Sequence, residues 1–302
     1  MRLLGLSAGN AGGSAEILLK EALRSAEAAG AEVQLVRIGD LDLSTGPAAH
    51  GDDAQWFWDR LMAADGLIVS SPIYTRTIPG LLRLLGDKIS GPQADVVFTA
   101  ELLRLRSEGA EIPVDFAIDE RVLRPRVAGF IAVGGSLPSY WKTLALPLMH
   151  TLTASAQIAV VDQVEFAGAG SPASIVLDAA ALERAAQLGR NVGEQLGRPF
   201  EQAEYRGASG ACPVCHLSVL ALRGGDLVEC ASCGAGGTLR VEDGEALVAF
   251  GPAGLAQSVI SLEEKRAHFA EVQQTAARHA AMRPEIEARR QGYLDWDPSV
   301  RP

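Results

Sequence analysis

Short apolar runs alternate with longer amphipathic stretches along the first 200 residues of the chain. The runs of strand length occupy residues 3–6, 32–38, 66–70, 126–133 and 157–164. Segments in which apolar residues recur at helical spacing follow them, beginning near residues 15, 52, 79, 136 and 177. Strands that alternate with helices predict a doubly wound α/β domain built on a parallel sheet.

The loop between the first strand and the first helix consists of small and polar residues, SAGNAGGS over residues 7–14. The helix start that follows offers unpaired N–H groups and a partial positive charge, and glycines let the backbone approach an anion. No lysine occurs before Lys20, which excludes a P-loop, and the glycines do not fit the GxGxxG dinucleotide fingerprint. Ser7, Asn10 and Ser14 supply neutral donors, so the loop suits a monophosphate, with an ordinary turn as the alternative.

Three further segments carry motifs at strand ends and at a helix start. They are ADGLIVSSPIY at residues 64–74, PGLL at residues 79–82 and VGG at residues 133–135. With the first loop and helix, these segments resemble the NADPH-dependent FMN reductase and multimeric-flavodoxin family from residue 1 to about residue 197. The resemblance implies a flavodoxin-like, doubly wound sheet of five parallel strands in the order 2-1-3-4-5, with FMN where the order reverses. It also implies a homodimer or homotetramer.

The resemblance further implies which residues contact the cofactor and the substrates. The FMN phosphate is expected against Ser7, Asn10, Gly12, Gly13 and Ser14. The isoalloxazine ring is expected between Ser71, Pro72, Ile73 and Tyr74 on one side and Gly134, Gly135 and Ser136 on the other. Substrate contacts are expected from Tyr74, Arg76, Tyr140 and Trp141.

An FMN-dependent NAD(P)H oxidoreductase is the function that this resemblance implies. Hydride would pass from the nicotinamide cofactor through FMN to a small-molecule acceptor, so no side chain need act as an acid or a base. The acceptor would be a quinone, a nitro or azo compound, free flavin or a dedicated aromatic compound.

The four cysteines of the chain form two CxxC pairs, Cys212, Cys215, Cys230 and Cys233. Two such knuckles bring four thiolates together around one ion. The strand-like runs between and after the pairs resemble a zinc ribbon over residues 211–250. A structural Zn²⁺ site is the main interpretation, with a rubredoxin-type iron site and disulfides as alternatives. His216 directly follows a cysteine and is expected to be a bystander.

Charge and composition bear on which partners the protein binds and where it is located. The net charge of −10 at pH 7 disfavours nucleic acid, because binding it depends on neutralising phosphates. No apolar stretch reaches the length of a membrane span. The chain enters its first strand without a basic leader, so we expect a cytoplasmic protein.

Motifs and composition divide the chain into five regions. These are an FMN-binding domain (1–200, with an insertion at 91–126), a linker (201–210), the zinc ribbon (211–251), a helical arm (261–291) and a tail (292–302). A capping box at Ser261 starts the arm, and Pro284 is expected to kink or break it. Long insertions are typical of lids, binding walls or oligomer contacts, with a surface elaboration as the alternative.

Two functions of other classes stay open from the sequence. An electron-transfer flavoprotein would use the four-cysteine module as an iron centre or as the docking site of a redox partner. A non-catalytic scaffold would keep the zinc ribbon and lack flavin binding. The flavin and iron content of the purified protein distinguishes these hypotheses.

Overall fold

A computed structural model describes residues 1–43, 52–91, 94–109 and 118–300 of the chain. The predicted insertion at 91–126 and the tail at 292–302 therefore lie partly outside the described residues. Within the described ranges, none of the helices has the length and hydropathy needed to cross a membrane.

Five parallel strands form the central sheet. They are β1 (Arg2–Ser7), β2 (Glu32–Arg37), β3 (Gly66–Pro72), β4 (Val127–Val133) and β5 (Ala159–Phe166). Their order is β2-β1-β3-β4-β5, which confirms the flavodoxin-like topology predicted from the sequence. The three central strands are buried along almost their whole length, as a parallel sheet covered on both faces requires. The strand order reverses between β1 and β3, and this leaves a crevice at the carboxyl edge of the sheet.

Helices pack on both faces of this sheet. They are α1 (Ser14–Ala28), α2 (Ala54–Ala63), α3 (Gly80–Ile89), α5 (Ala145–His150) and α6 (Ala179–Gly193). Helix α4 (Val96–Ser107) instead packs against the 3₁₀ turn of residues 120–123. Helices α1 and α6 share one hydrophobic cluster, whereas α2, α3 and α5 contribute to a second one. A Cβ placed on Gly189 of α6 would lie 2.0 Å from the carbonyl oxygen of Ala22, so α1 and α6 touch through their backbones. This contact fixes α1 and the loop before it.

The helix predicted to begin within residues 136–142 starts later than expected. A single 3₁₀ turn occupies Ser139–Trp141, and α5 begins only at Ala145. The N–H groups of Trp141 and Lys142 donate to the carbonyls of Pro138 and Ser139. These are i to i−3 bonds, typical of a 3₁₀ turn, and not the i to i−4 bonds of an α-helix. The turn leaves its two aromatic side chains exposed.

A second, antiparallel sheet carries the cysteines. Its strands, in spatial order, are β6 (Leu220–Gly224), β7 (Leu227–Cys230), β8 (Gly236–Glu242) and β9 (Glu245–Ala249). The cysteine module docks on the central sheet through Gln163 of β5, whose amide donates to the Cys215 carbonyl at 2.8 Å. The same side chain meets Nε2 of His150 at 2.8 Å. Burial lowers the pKa of His150 to about 4, so the imidazole is neutral in this contact.

Three helices follow the second sheet. They are α7 (Pro252–Ala256), α8 (Leu262–Ala281) and α9 (Arg283–Leu294). The Ser261 hydroxyl caps α8, as its motif predicts. The Lys265 ammonium of α8 donates to the carbonyls of Ala154 and Ser155, which follow α5. The rings of Phe98 and Phe269 pack edge to face with their centroids 4.7 Å apart. Pro284 lies in the first turn of α9, directly after the break between the two long helices.

Candidate active site

A cavity of about 520 Å³ opens at the carboxyl edge of the central sheet. It is lined by residues 9–15, residues 72–74, Val133, Gly135 and residues 169–172. These segments follow β1, β3, β4 and β5, so the crevice left by the reversed strand order is the cavity itself. Its volume lies in the range of small-molecule and cofactor sites.

The N-terminus of α1 faces this cavity. The first bond within the helix runs from the Ile17 N–H to the Gly13 carbonyl at 3.0 Å. Gly13 has no side chain to cap the helix, so the N–H groups of the first turn lack partners within it. Gly12 adopts a φ of 71°, a left-handed conformation that glycine reaches without strain. The donors therefore fit an anion such as a phosphate monoester.

The opposite wall of the cavity is built from backbone rather than from side chains. A Cβ placed on Gly135 would lie 3.1 Å from the Cα of Gly170, so the loops after β4 and β5 touch directly. The Ala169 N–H donates to the Gly134 carbonyl at 3.1 Å, and the Gly134 N–H donates to the Phe166 carbonyl at 2.8 Å. These bonds hold the two loops together, so their backbones form this wall of the cavity.

Ionisable groups are scarce at the cavity surface. Among the described residues that line it, Tyr74 is the one titratable side chain. A charged pair lies behind the first loop, where Arg37 Nε is 2.7 Å from Oε2 of the buried Glu16. The hydrogen bond from Arg37 lowers the pKa of Glu16 to about 2, so this carboxylate is ionised. A lining of this kind supplies binding and orientation, so the chemistry of the site depends on a bound cofactor.

Comparison with known proteins identifies that cofactor. Residues 1–171 match the family described as NADPH-dependent FMN reductase. The chain belongs to this family. It is therefore a flavin-dependent NAD(P)H oxidoreductase, and FMN is the phosphate-bearing cofactor that the cavity fits.

A curated protein and a solved structure are also similar to this member of the FMN reductase family. One is the flavone synthase cfoJ of Aspergillus candidus, 36% identical in an alignment of 265 positions that covers 80% of this chain and 79% of that one. The other is a solved structure named flavone reductase, which matches with a TM-score of 0.85 at 27% identity and covers 100% of both chains.

Most of the expected FMN contacts line the cavity. Those that do are Asn10, Gly12, Gly13, Ser14, Pro72, Ile73, Tyr74 and Gly135. Those that do not are Ser7, Ser71, Gly134 and Ser136. Ser7 and Ser71 are fully buried at the ends of their strands, and the Ser71 hydroxyl donates to the Pro72 carbonyl at 2.9 Å.

Sequence reasoning missed the loop of residues 169–172, which forms one wall of the cavity. The signal for it was the glycine content of the segment after β5, because Gly168 and Gly170 permit a close approach to the loop after β4.

The four residues expected to contact substrate lie around the carboxyl edge. Tyr74 lines the cavity and is 55% exposed. It pairs with Thr77 across a two-residue hairpin turn whose central residues, Thr75 and Arg76, have φ of 46° and 73°. Positive φ strains both residues, since neither is glycine, and such strain is concentrated at functional sites.

The remaining aromatic pair lies on the turn after β4. Tyr140 and Trp141 are 63% and 48% exposed, with ring centroids 6.3 Å apart. They do not line the cavity. Leu137, on the same segment, lies against Gly168, the residue directly before the cavity-wall loop; a Cβ added to Gly168 would be 3.3 Å from Cδ2 of Leu137. The segment that carries the aromatic rings therefore adjoins the cavity wall.

The four cysteines form a separate candidate metal site. Its four Sγ atoms lie within 4.8 Å of one another and are buried. Tetrahedral Zn–S bonds of about 2.3 Å place the sulfurs about 3.8 Å apart. The Cys212–Cys233 and Cys215–Cys230 pairs are at 3.5 and 3.4 Å, so the set fits a single tetrahedral ion. His216 does not join the cluster, because its ring stacks on Tyr205 with centroids 3.6 Å apart.

Proposed function

We propose that this enzyme transfers hydride between NAD(P)H and the C2–C3 bond of a flavone-type aromatic compound, with FMN as the carrier. Reduction of that bond takes one hydride and one proton and yields the dihydro product and the oxidised nicotinamide.

The extent of the likeness to flavone enzymes is the observation that carries this proposal. The family match covers residues 1–171, whereas the flavone reductase structure matches the whole chain, with the cysteine module and the C-terminal helices included. The modules added to the FMN-binding domain are thus shared with a protein named for flavone chemistry. This favours a dedicated aromatic acceptor over quinones, nitro or azo compounds and free flavin.

The residues of this chain would bind and orient FMN. The N–H groups at the start of α1, together with Asn10 and Ser14, would hold the phosphate because they form the one anion site that the cavity offers among its described residues. Pro72, Ile73 and Gly135 would lie against the isoalloxazine ring. When bound, FMN supplies a carrier that accepts and releases hydride at its N5 atom.

The flavone-type substrate would then bind at the open side of the cavity. Tyr74 lines the cavity, and its hydroxyl would hydrogen-bond the substrate there. Tyr140 and Trp141 present exposed aromatic surface next to the cavity wall, on which the planar rings would stack. Arg76, at the tip of the strained hairpin, would bind the carbonyl or phenolate oxygen.

Three further proposals concern the metal, the assembly and the compartment. We propose Zn²⁺ in the four-cysteine site, since a closed set of four thiolates in a ribbon is typical of structural zinc. We also propose a homodimer or homotetramer, because exposed apolar side chains surround the carboxyl edge of the sheet. The cytoplasm is the compartment we propose, since its reducing conditions keep the thiols available to the metal.

A direct assay tests the acceptor. The full chain is loaded with FMN and incubated without oxygen with NADPH and a flavone, and products are separated by mass. We expect a product heavier by two hydrogen atoms, formed only when enzyme, FMN and NADPH are all present. Quinone, nitro and azo compounds are assayed in parallel.

A pair of tryptophan variants tests the substrate surface. Trp141→Ala should raise KM for the flavone about tenfold or more with little change in FMN affinity, because buried aromatic contacts dominate binding. Trp296→Ala, which removes an exposed ring from the tail, should leave KM within about twofold. Turnover of a quinone in preference to every flavone, or equal KM values for both variants, would contradict the proposal.

A further inference from the structure

A buried carboxylate lies directly behind the loop that faces the cavity. Glu16 is the third residue of α1, and its side chain is 1% exposed. Arg37, the last residue of β2, holds it with two bonds, Nε to Oε2 at 2.7 Å and Nη2 to Oε1 at 3.1 Å. Lys20, one turn further along α1, places Nζ 2.7 Å from Oε1.

The same carboxylate contacts the loop itself. The Gly12 N–H points at Oε1 of Glu16, with the nitrogen and oxygen 3.4 Å apart. A glutamate at the third position of a helix commonly reaches back to the cap residue, here Gly13. In this chain it reaches one residue further, to a glycine that lines the cavity in a left-handed conformation. Glu16 therefore restrains the loop from behind, on the side away from the ligand.

A carboxylate so close to an anion site would oppose phosphate binding if it stood alone. Two cations face it, so Arg37, Lys20 and Glu16 together carry one net positive charge. Asp40 is the other charged group near Arg37, at 3.9 Å from its Nη1, and its side chain is 71% exposed, so solvent screens it. The loop of residues 7–14 itself contains no lysine or arginine. The net positive charge next to the loop therefore comes from the cluster of Arg37, Lys20 and Glu16.

We propose that Arg37 and Glu16 act together as positioning residues for the phosphate of FMN. Glu16 orients the Gly12 segment of the loop. Arg37 neutralises the carboxylate of Glu16, which would otherwise repel the phosphate. The inference rests on the proposed FMN site and adds to it the source of positive charge that the loop lacks. Neither Arg37 nor Glu16 lines the cavity.

Calorimetric titration with FMN and with riboflavin, which lacks the phosphate, tests this inference. Arg37→Gln should weaken FMN binding about tenfold, because it exposes the phosphate to a less compensated carboxylate, and should change riboflavin binding less than about twofold. Glu16→Gln combined with Arg37→Gln removes both charges and should restore FMN affinity to within about threefold of the wild type.

Arg24→Gln is the matched control. Arg24 lies on the exposed side of α1 and pairs with Glu21 at 3.2 Å, so its loss removes one positive charge from the helix without touching Glu16. FMN affinity should stay within about twofold of the wild type, as for an exposed pair.

The outcomes separate this inference from the function on which it rests. Wild-type protein that does not bind FMN overturns both. Wild-type protein that binds FMN, with Arg37→Gln binding it equally well, overturns the inference alone. Equal losses of FMN and riboflavin affinity in Arg37→Gln would show a general structural role and would also overturn it, as would a double variant that remains as weak as the single one.

Discussion

The backbone contact between α1 and α6 makes a strong prediction about one glycine. In Gly189→Ala, the new methyl group would lie 2.0 Å from the carbonyl oxygen of Ala22 and 2.7 Å from its carbonyl carbon. These are backbone atoms of a buried helix, so no side-chain rotation relieves the clash, and the two helices must separate. Overpacking of this kind costs about 3 kcal/mol, from which a gain of about 1 kcal/mol in helix propensity is subtracted. We expect a net loss of about 2 kcal/mol in the free energy of unfolding.

Gly193, one turn further along the same helix, is the matched control. A Cβ there would lie 3.5 Å from the Cβ of Ala26, which is ordinary contact. Gly193→Ala should therefore keep only the propensity gain and stabilise the protein by up to about 1 kcal/mol. The two variants carry the same chemical change in the same helix and should shift stability in opposite directions.

Urea unfolding of both variants, followed by circular dichroism at fixed zinc concentration, measures these differences. Because α1 carries the loop at the cavity, Gly189→Ala should also weaken FMN binding, whereas Gly193→Ala should not. Equal midpoints for the two variants, or a Gly189→Ala protein as stable as the wild type, would refute the helix contact on which the position of the loop depends.

Three other properties of the structure can be tested by single substitutions. Thr75→Gly should raise the free energy of unfolding by about 1 kcal/mol in thermal melts, because it relieves left-handed strain, and an unchanged or lower value would speak against the strained hairpin. Cys215→Ser should release the metal and lower the melting temperature, while His216→Gln should retain it, as metal analysis of both proteins would show. Glu16 has a folded pKa of about 2, below its ordinary value of 4.5, so its stabilising effect is complete above pH 4.5 and is lost as the pH falls towards 2. The stability difference between wild type and Glu16→Gln should thus shrink by about 1.4 kcal/mol between pH 6 and pH 3.5, and a constant difference would contradict the ion pair.

The sequence was sufficient to predict the flavodoxin-like topology because each strand is a separate apolar run and each helix follows at regular spacing. The residues after β1 and β3 could be placed at the cavity for the same reason, since loops after parallel strands share one edge. Cys212 and its three partners could be grouped because CxxC pairs converge locally. These features depend on short segments whose structure the local pattern determines.

Features that depend on contacts between distant segments could not be predicted. Arg37 pairs with Glu16, which lies 21 positions earlier in the sequence, and neither local segment contains a pattern that predicts this pair. The loop of residues 169–172 becomes a cavity wall only because Gly135 and Gly170 touch. Ser7 and Ser71, which were expected at the cofactor from resemblance alone, are buried at the ends of their strands and do not line the cavity.

The central claim is that this chain binds FMN and exchanges hydride with NAD(P)H. Its most direct test is an absorption spectrum of the protein loaded with FMN, recorded during an anaerobic titration with NADPH. We predict about one FMN per chain and loss of the oxidised flavin bands after about one equivalent of NADPH, followed by their return when a flavone is added. Protein that retains no FMN after incubation with excess cofactor, or bound FMN that NADPH leaves oxidised, would contradict the account.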